Sequence, residues 1–123
     1  MKGGSDYLKR AEHHLARVQR AKDEPTDWYD LTIYGFYCVE AAVMAAASHA
    51  GMPVDRTHPA KTQAAVRLAA DHGLPDVSNL LRTLNFARKA AAYGDAHLPK
   101  LDARQIAAQI ERFVRAVQEM VST

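Results

Sequence analysis

The sequence predicts an all-α protein, an antiparallel (up-and-down) helical bundle of four to five helices, built as a single domain over residues 1–123. Three observations predict it. Apolar residues recur at spacings of three and four in five separate segments. Helix-capping residues, glycines or prolines separate those segments. No stretch shows the strict apolar–polar alternation of a half-buried strand.

The first segment runs from about Ser5 to Asp23, with Leu8, Ala11, Leu15 and Val18 on one stripe and Lys9, Arg10, Arg17 and Arg20 off it. Ser5 is the expected cap, because its hydroxyl can accept a bond from a spare helix N–H. Pro25 ends the segment. The second runs from about Asp27 to Ala50 and is apolar on most sides: Trp28, Leu31, Tyr34, Tyr37, Ala41 and Met44, flanked by Ile33, Phe36 and Val39. A helix apolar all round is expected at the centre of the bundle. Gly51 and Pro53 stop it.

The third segment, about Pro59 to His72, takes Thr57 or His58 as its cap and Pro59 in its first turn, where an N–H is spare. Gly73 and Pro75 end it. The fourth runs from Asp76, the expected cap, to about Ala92, with Val77, Leu80, Leu81, Leu84 and Ala91 as its buried seam. The fifth runs from Asp102 to about Val121. Asp102 and Gln105 have capping-box spacing, and Ile106, Ile110, Phe113, Val117 and Met120 form the core face. Short connections make neighbouring helices antiparallel.

Composition narrows the class. The hydrophobic fraction is 48%, too high for disorder, and the net charge is +2, so any nucleic-acid site has to be a local patch. Cys38 is the single cysteine, which excludes an intramolecular disulfide and makes a reducing, cytoplasmic setting the expectation. No secretory signal is read at the N-terminus. The most apolar run, Leu31 to Ala50, carries Glu40 near its middle, which favours a buried helix of a soluble protein over a membrane span. No Glu-x-x-His pair or His-x-x-x-His pair occurs on a helix, and no Gly-rich phosphate loop or dinucleotide fingerprint is present, so no metal and no cofactor is expected.

Two residues break the apolar pattern. Arg88 continues the seam of the fourth helix, four residues after Leu84, and a buried guanidinium requires a partner. Glu40 is the matching anomaly on the second helix. The expectation is a direct Glu40–Arg88 contact, which either sets helix register or presents Arg88 to a phosphate through its planar fork of donors. Downstream lie Tyr93, Gly94, Asp95 and His97. Arg88, Tyr93 and His97 are the candidate catalytic groups; Glu40, Arg82, Arg88, Lys89 and Asp95 are the candidate binding groups. Each has a plainer structural reading: Tyr93 as an aromatic plug at a helix end, Asp95 as a turn former, His97 as a loop residue. Arg82 and Lys89, seven apart, share a face and flank Arg88 as a phosphate track or as an ordinary solvated face. Leu80, Leu84 and Phe86 spread over more than one face of the fourth helix and suggest a dimer contact there.

Taken together, the chain resembles the HEPN domain family. The residues that carry the resemblance are the aromatic- and alanine-rich second helix with its central Glu40 (Tyr34 to Ala47), the capped third helix, the Phe86-Ala87-Arg88 … Tyr93-Gly94-Asp95 ending of the fourth, and the amphipathic last helix. The resemblance implies a small helical bundle that forms a homodimer and acts on or binds RNA or a nucleotide. It also implies a place in a toxin–antitoxin or defence system, with a nucleotidyltransferase-type antitoxin as one class of partner. In active members an arginine and a histidine four to six residues beyond it cleave RNA without metal; others bind or scaffold without cleaving. Here that interval holds Tyr93 in place of the histidine, and His97 lies further on. A tyrosine, with an ordinary pKa of about 10, is a poor proton shuttle near neutral pH. The expected function is therefore a non-cleaving, dimeric HEPN-like binding module, with a metal-independent ribonuclease using Arg88 with Tyr93 or His97 as the alternative.

Overall fold

The computed structural model describes residues 4–93 and 101–122. Five helices follow in order: α1 (Gly4–Ala21), α2 (Trp28–His49), α3 (His58–His72), α4 (Ser78–Ala92) and α5 (Ala103–Ser122), with no strand among the described residues. Asp95 and His97, together with Gly94, lie outside the described residues.

The helix boundaries follow local chemistry, with two corrections. Asp27 caps α2 by accepting from the Asp30 N–H at 3.0 Å. Thr57, not His58, caps α3 by accepting from the Ala60 N–H, and Pro59 sits in the first turn. Gly73, at φ +69°, closes α3 in the left-handed conformation that glycine adopts freely. Asp102 accepts from the N–H groups of Arg104 and Gln105 at the start of α5. The first correction is at Ser5, which lies inside α1, because the helix is already formed at Gly4. The second is at Asp76. The N-cap of α4 is Val77, with no side-chain cap bond; Asp76 instead accepts from the Ser78 N–H at 2.9 Å, and that bond holds its carboxyl below the usual aspartate range.

α2 is the hub and packs against all four other helices. Leu31, Phe36, Val39 and Val43 are fully buried along it, as are its alanines from Ala41 to Ala47. The small residues let α1 approach closely: the Cys38 thiol donates to the Ala11 carbonyl at 3.2 Å, and Gly4 lies against the Ala45 carbonyl. Burial pushes the Cys38 thiol up to about 12, so it stays protonated and unreactive. By length and composition α2 would also cross a membrane, but 72% of that stretch is buried inside the bundle.

Cross-helix bonds give the directions. Gly4 meets Ala45 while Arg17 meets Tyr34, so α1 and α2 are antiparallel. Gln19 bonds Glu111 and Glu12 bonds Gln118, so α1 and α5 are antiparallel too. It follows that α2 and α5 run the same way, so the alternation of direction expected for sequence neighbours is not kept at every connection between α2 and α5. Gly35 marks where α4 and α5 close on α2: a Cβ there would stand 2.9 Å from Ile110 Cδ1 and 3.6 Å from Leu84 Cδ2.

The expected core faces are largely those observed. On α5, Ile106, Ile110, Phe113 and Val117 are buried. On α4 the buried set is Leu81, Leu84, Ala87 and Ala90, while Leu80 and Ala91 are only half-buried. Leu84 is consumed by the core, so the outward apolar seam expected from Leu80, Leu84 and Phe86 reduces mainly to Phe86, which is 62% exposed.

The crowding at Gly35 has a measurable consequence. Gly35→Leu is expected to lower unfolding stability by about 1–3 kcal/mol through overpacking against two fully buried residues, read as a lower denaturant midpoint at unchanged slope. An unchanged midpoint would show that α4 and α5 do not close on α2 at this point.

Candidate anion-binding site around His58

The polar defect in the bundle is real, but its centre is a residue that the sequence reading treated only as a helix cap. Glu40 is 5% exposed in the middle of α2. Its carboxylate is answered from α3: His58 Nδ1 lies 2.6 Å from Glu40 Oε2, and Lys61 Nζ lies 3.5 Å from Glu40 Oε1. The other ring nitrogen of His58, Nε2, is 3.4 Å from an Arg88 terminal nitrogen. The expected direct Glu40–Arg88 ion pair is therefore not formed. His58, projecting from the first turn of α3, is interposed between the two charges.

The hydrogen-bonding inventory assigns the ring's tautomer. A carboxylate only accepts and a guanidinium only donates. A proton on Nδ1 and a lone pair on Nε2 satisfy both neighbours. Glu40 thus orients the imidazole, as a carboxylate orients the histidine of many acid–base sites. The His58 side chain is 44% exposed, so the ring is fixed on its Glu40 side and open to solvent on the other.

Arg88 is half-buried where α3 begins. Its Nε donates to Asn85 Oδ1 at 3.0 Å, and its guanidinium lies 4.5 Å above the Phe36 ring and 5.9 Å from that of Tyr37. An aromatic face stabilises a cation through its quadrupole without neutralising it. No ion pair joins Arg88 to a carboxylate among the described residues. The guanidinium is positioned by these contacts, with no carboxylate paired to it among the described residues.

Depressions flank His58 on both sides. Towards α4, one of about 430 Å³ is lined by Phe36, His58, Thr62, Arg82, Asn85 and Lys89. Towards α1, one of about 240 Å³ includes Tyr7, Arg10, His14, Tyr37, Glu40 and Lys61. It adjoins another of about 390 Å³ that adds Arg56 and Asp6. Cations outnumber acids along this surface, and aromatic rings are interleaved with them.

The predicted site residues divide accordingly. Glu40, Arg82, Arg88 and Lys89 come together around His58. Tyr93 does not join them: it follows the last turn of α4, is 87% exposed, and lies about 140° around the helix from Arg88 at 100° per residue. Asp95 and His97 are outside the described residues. His58 and Lys61 were missed. The signal was present: a buried carboxylate demands a partner, and a histidine and a lysine three apart at the start of the next helix share one face.

The profile of the HEPN domain family matches residues 5–120. The chain belongs to the HEPN family. No curated protein and no solved structure matches it. The match spans all five helices, so the Glu40–His58–Arg88 arrangement lies wholly inside the HEPN domain. Among the described residues of this HEPN domain, no group of three or more His, Cys, Asp and Glu is placed to hold a metal ion.

A second imidazole lies on the α1 side. His14 stacks on Tyr34 at 5.7 Å between ring centres, and its Nδ1 is buried without a hydrogen-bond partner. Burial, then the neighbouring His13, Arg10 and Arg17, lower its pKa below the ordinary histidine value. The folded state therefore binds fewer protons than the unfolded chain once pH falls through about 6.5. Stability is lost on acidification across that window.

Two tests follow. Glu40→Ala should cost about 1.5–3 kcal/mol, the range for a hydrogen bond to a charged group, and should release His58 to a mixture of ring tautomers in 15N NMR. A ring still fixed with its proton on Nδ1 would show that Glu40 does not orient it. His14→Gln should reduce the stability lost between pH 7.5 and pH 5.5, measured by denaturant midpoints; an equal loss in parent and variant would remove His14 as its source.

Proposed function

We propose that this protein is an RNA-binding module of HEPN type whose phosphate site is Arg88 beside His58. The observation that carries the reading is the state of Arg88: oriented by Asn85 and the Phe36 ring, in contact with His58, and without a carboxylate counter-ion among the described residues. A guanidinium so held matches the bidentate geometry of a phosphate. Lys61, Arg82 and Lys89 on the adjoining walls extend the positive surface beyond one phosphate.

A second reading, metal-independent cleavage of RNA, is favoured by one specific observation. The imidazole missing from the residues after Arg88 is supplied from α3 by His58, with its far nitrogen held by Glu40. An acid–base group beside a guanidinium is what phosphodiester cleavage without metal requires. In this reading His58 replaces the expected Tyr93 or His97. A homodimer as the working unit, a nucleotidyltransferase-type partner and a toxin–antitoxin or defence setting belong to the same proposal and rest on family membership.

The experiment is direct binding and cleavage of mixed RNA in the presence of a chelator. Arg88→Ala should weaken binding by about tenfold or more, as expected for loss of a charge-assisted contact, whereas Arg104→Ala on the exposed start of α5 should have little effect. Equal losses in both variants would reduce the site to general charge. Cleavage abolished by His58→Ala would establish the enzymatic reading, and binding with no cleavage would establish the binding module.

A further inference from the structure

α4 carries an outer surface that continues from Arg82 and Lys89 of the Arg88 site and adds two aromatic rings to them. Arg82, Phe86, Lys89 and Tyr93 follow one another at spacings of four, three and four, so at 100° per residue they fall within about 60° of one another. All four are exposed; Phe86 is 62% and Tyr93 87% accessible. The result is a stripe in which cations and aromatic rings alternate along the outside of the helix. Large aromatic rings left in water contribute little to the fold, so this pair calls for another explanation.

The charge around them is one-sided. Between Ser78 and Tyr93 the sequence contains no Asp or Glu. Arg82 donates to the Asn79 side chain at 3.0 Å, and neither Arg82 nor Lys89 forms an ion pair among the described residues. Both also line the depression that leads to His58. The two cations of the stripe thus border the same depression as His58, the neighbour of Arg88.

We propose that this stripe is a platform for a single, unpaired RNA strand, with bases stacked on Phe86 and Tyr93 and backbone phosphates following Arg82 and Lys89 towards Arg88. The proposal rests on the RNA-binding reading of the Arg88 site and adds the form of the substrate. Aromatic side chains stack on bases whose faces are free, which a duplex conceals. The two rings are about 10 Å apart along the helix axis, so one mononucleotide cannot cover both. Affinity therefore depends on strand length. A second copy of this chain fits the surface less well. A two-fold contact centred on the stripe brings Arg82 and Lys89 of both copies together, with no carboxylate on α4 to offset them.

The test uses the full chain and three probes at one low salt concentration: an unstructured 12-nucleotide RNA, the matching 12-base-pair duplex, and inorganic phosphate as competitor at Arg88. The double variant Phe86→Ala/Tyr93→Ala should bind the single strand about tenfold or more weakly while its thermal midpoint, duplex affinity and phosphate competition stay unchanged. Phe86→Trp should retain single-strand affinity. Unchanged single-strand binding in the double variant overturns the platform, even where Arg88→Ala still abolishes phosphate competition. Equal loss for duplex and single strand also overturns it. A dimer in the parent that dissociates in the double variant, with RNA affinity intact, assigns the stripe to self-association and overturns it as well. If Arg88→Ala changes neither phosphate nor RNA binding, the phosphate-site reading fails on its own account.

Discussion

Glu40 is an acid placed where acids are costly, and its bond to His58 at 2.6 Å organises the polar side of the molecule. A carboxylate at 5% exposure needs charged or hydrogen-bonding partners. Here both partners come from the first turns of α3, so the start of that helix is held against the middle of α2. With His58 committed to Glu40 through one nitrogen, its other nitrogen faces Arg88. Arg88 in turn is left without a carboxylate among the described residues.

Arg88 is stable in that position because Phe36 and Tyr37 lie beneath it. Phe36 itself is almost wholly buried, so the ring under the guanidinium is part of the core. Core packing and the placement of Arg88 therefore share a residue. On the α1 side of His58 the balance is different: His14 is desolvated and crowded by cations, and the same positive surroundings that lower its pKa make that side attractive to anions.

The rest of the bundle supports this arrangement by close packing around α2. Its alanines admit α1, and Gly35 admits Leu84 and Ile110 from α4 and α5. Because the inner face of α4 is used in this way, the residues left outside on that helix are basic, aromatic, amide-bearing or small, with Leu80 half-buried and no acid among them. The proposed RNA-facing surface is the remainder of α4 after the core has taken Leu81, Leu84, Ala87 and Ala90.

Much was determined by the sequence alone, because it depends on neighbours along the chain. Helix number, helix ends at Gly51, Gly73 and Asp102, the central place of α2 and the core faces of α1 and α5 all follow from periodicity and capping. So does the conclusion that Glu40 and Arg88 both require explanation. The tertiary structure decided who answers whom. Glu40 and Arg88 are correctly marked as anomalies, yet opposite charges on two helices do not specify contact, since distance between helices is set by packing. His58 reads locally as part of a helix start, and only the fold brings that start beside a buried carboxylate 18 residues earlier in the chain. Tyr93 is close to Arg88 in sequence but turned away by helical geometry. Local order was written in spacing; the site was made by the way α3 settles on α2.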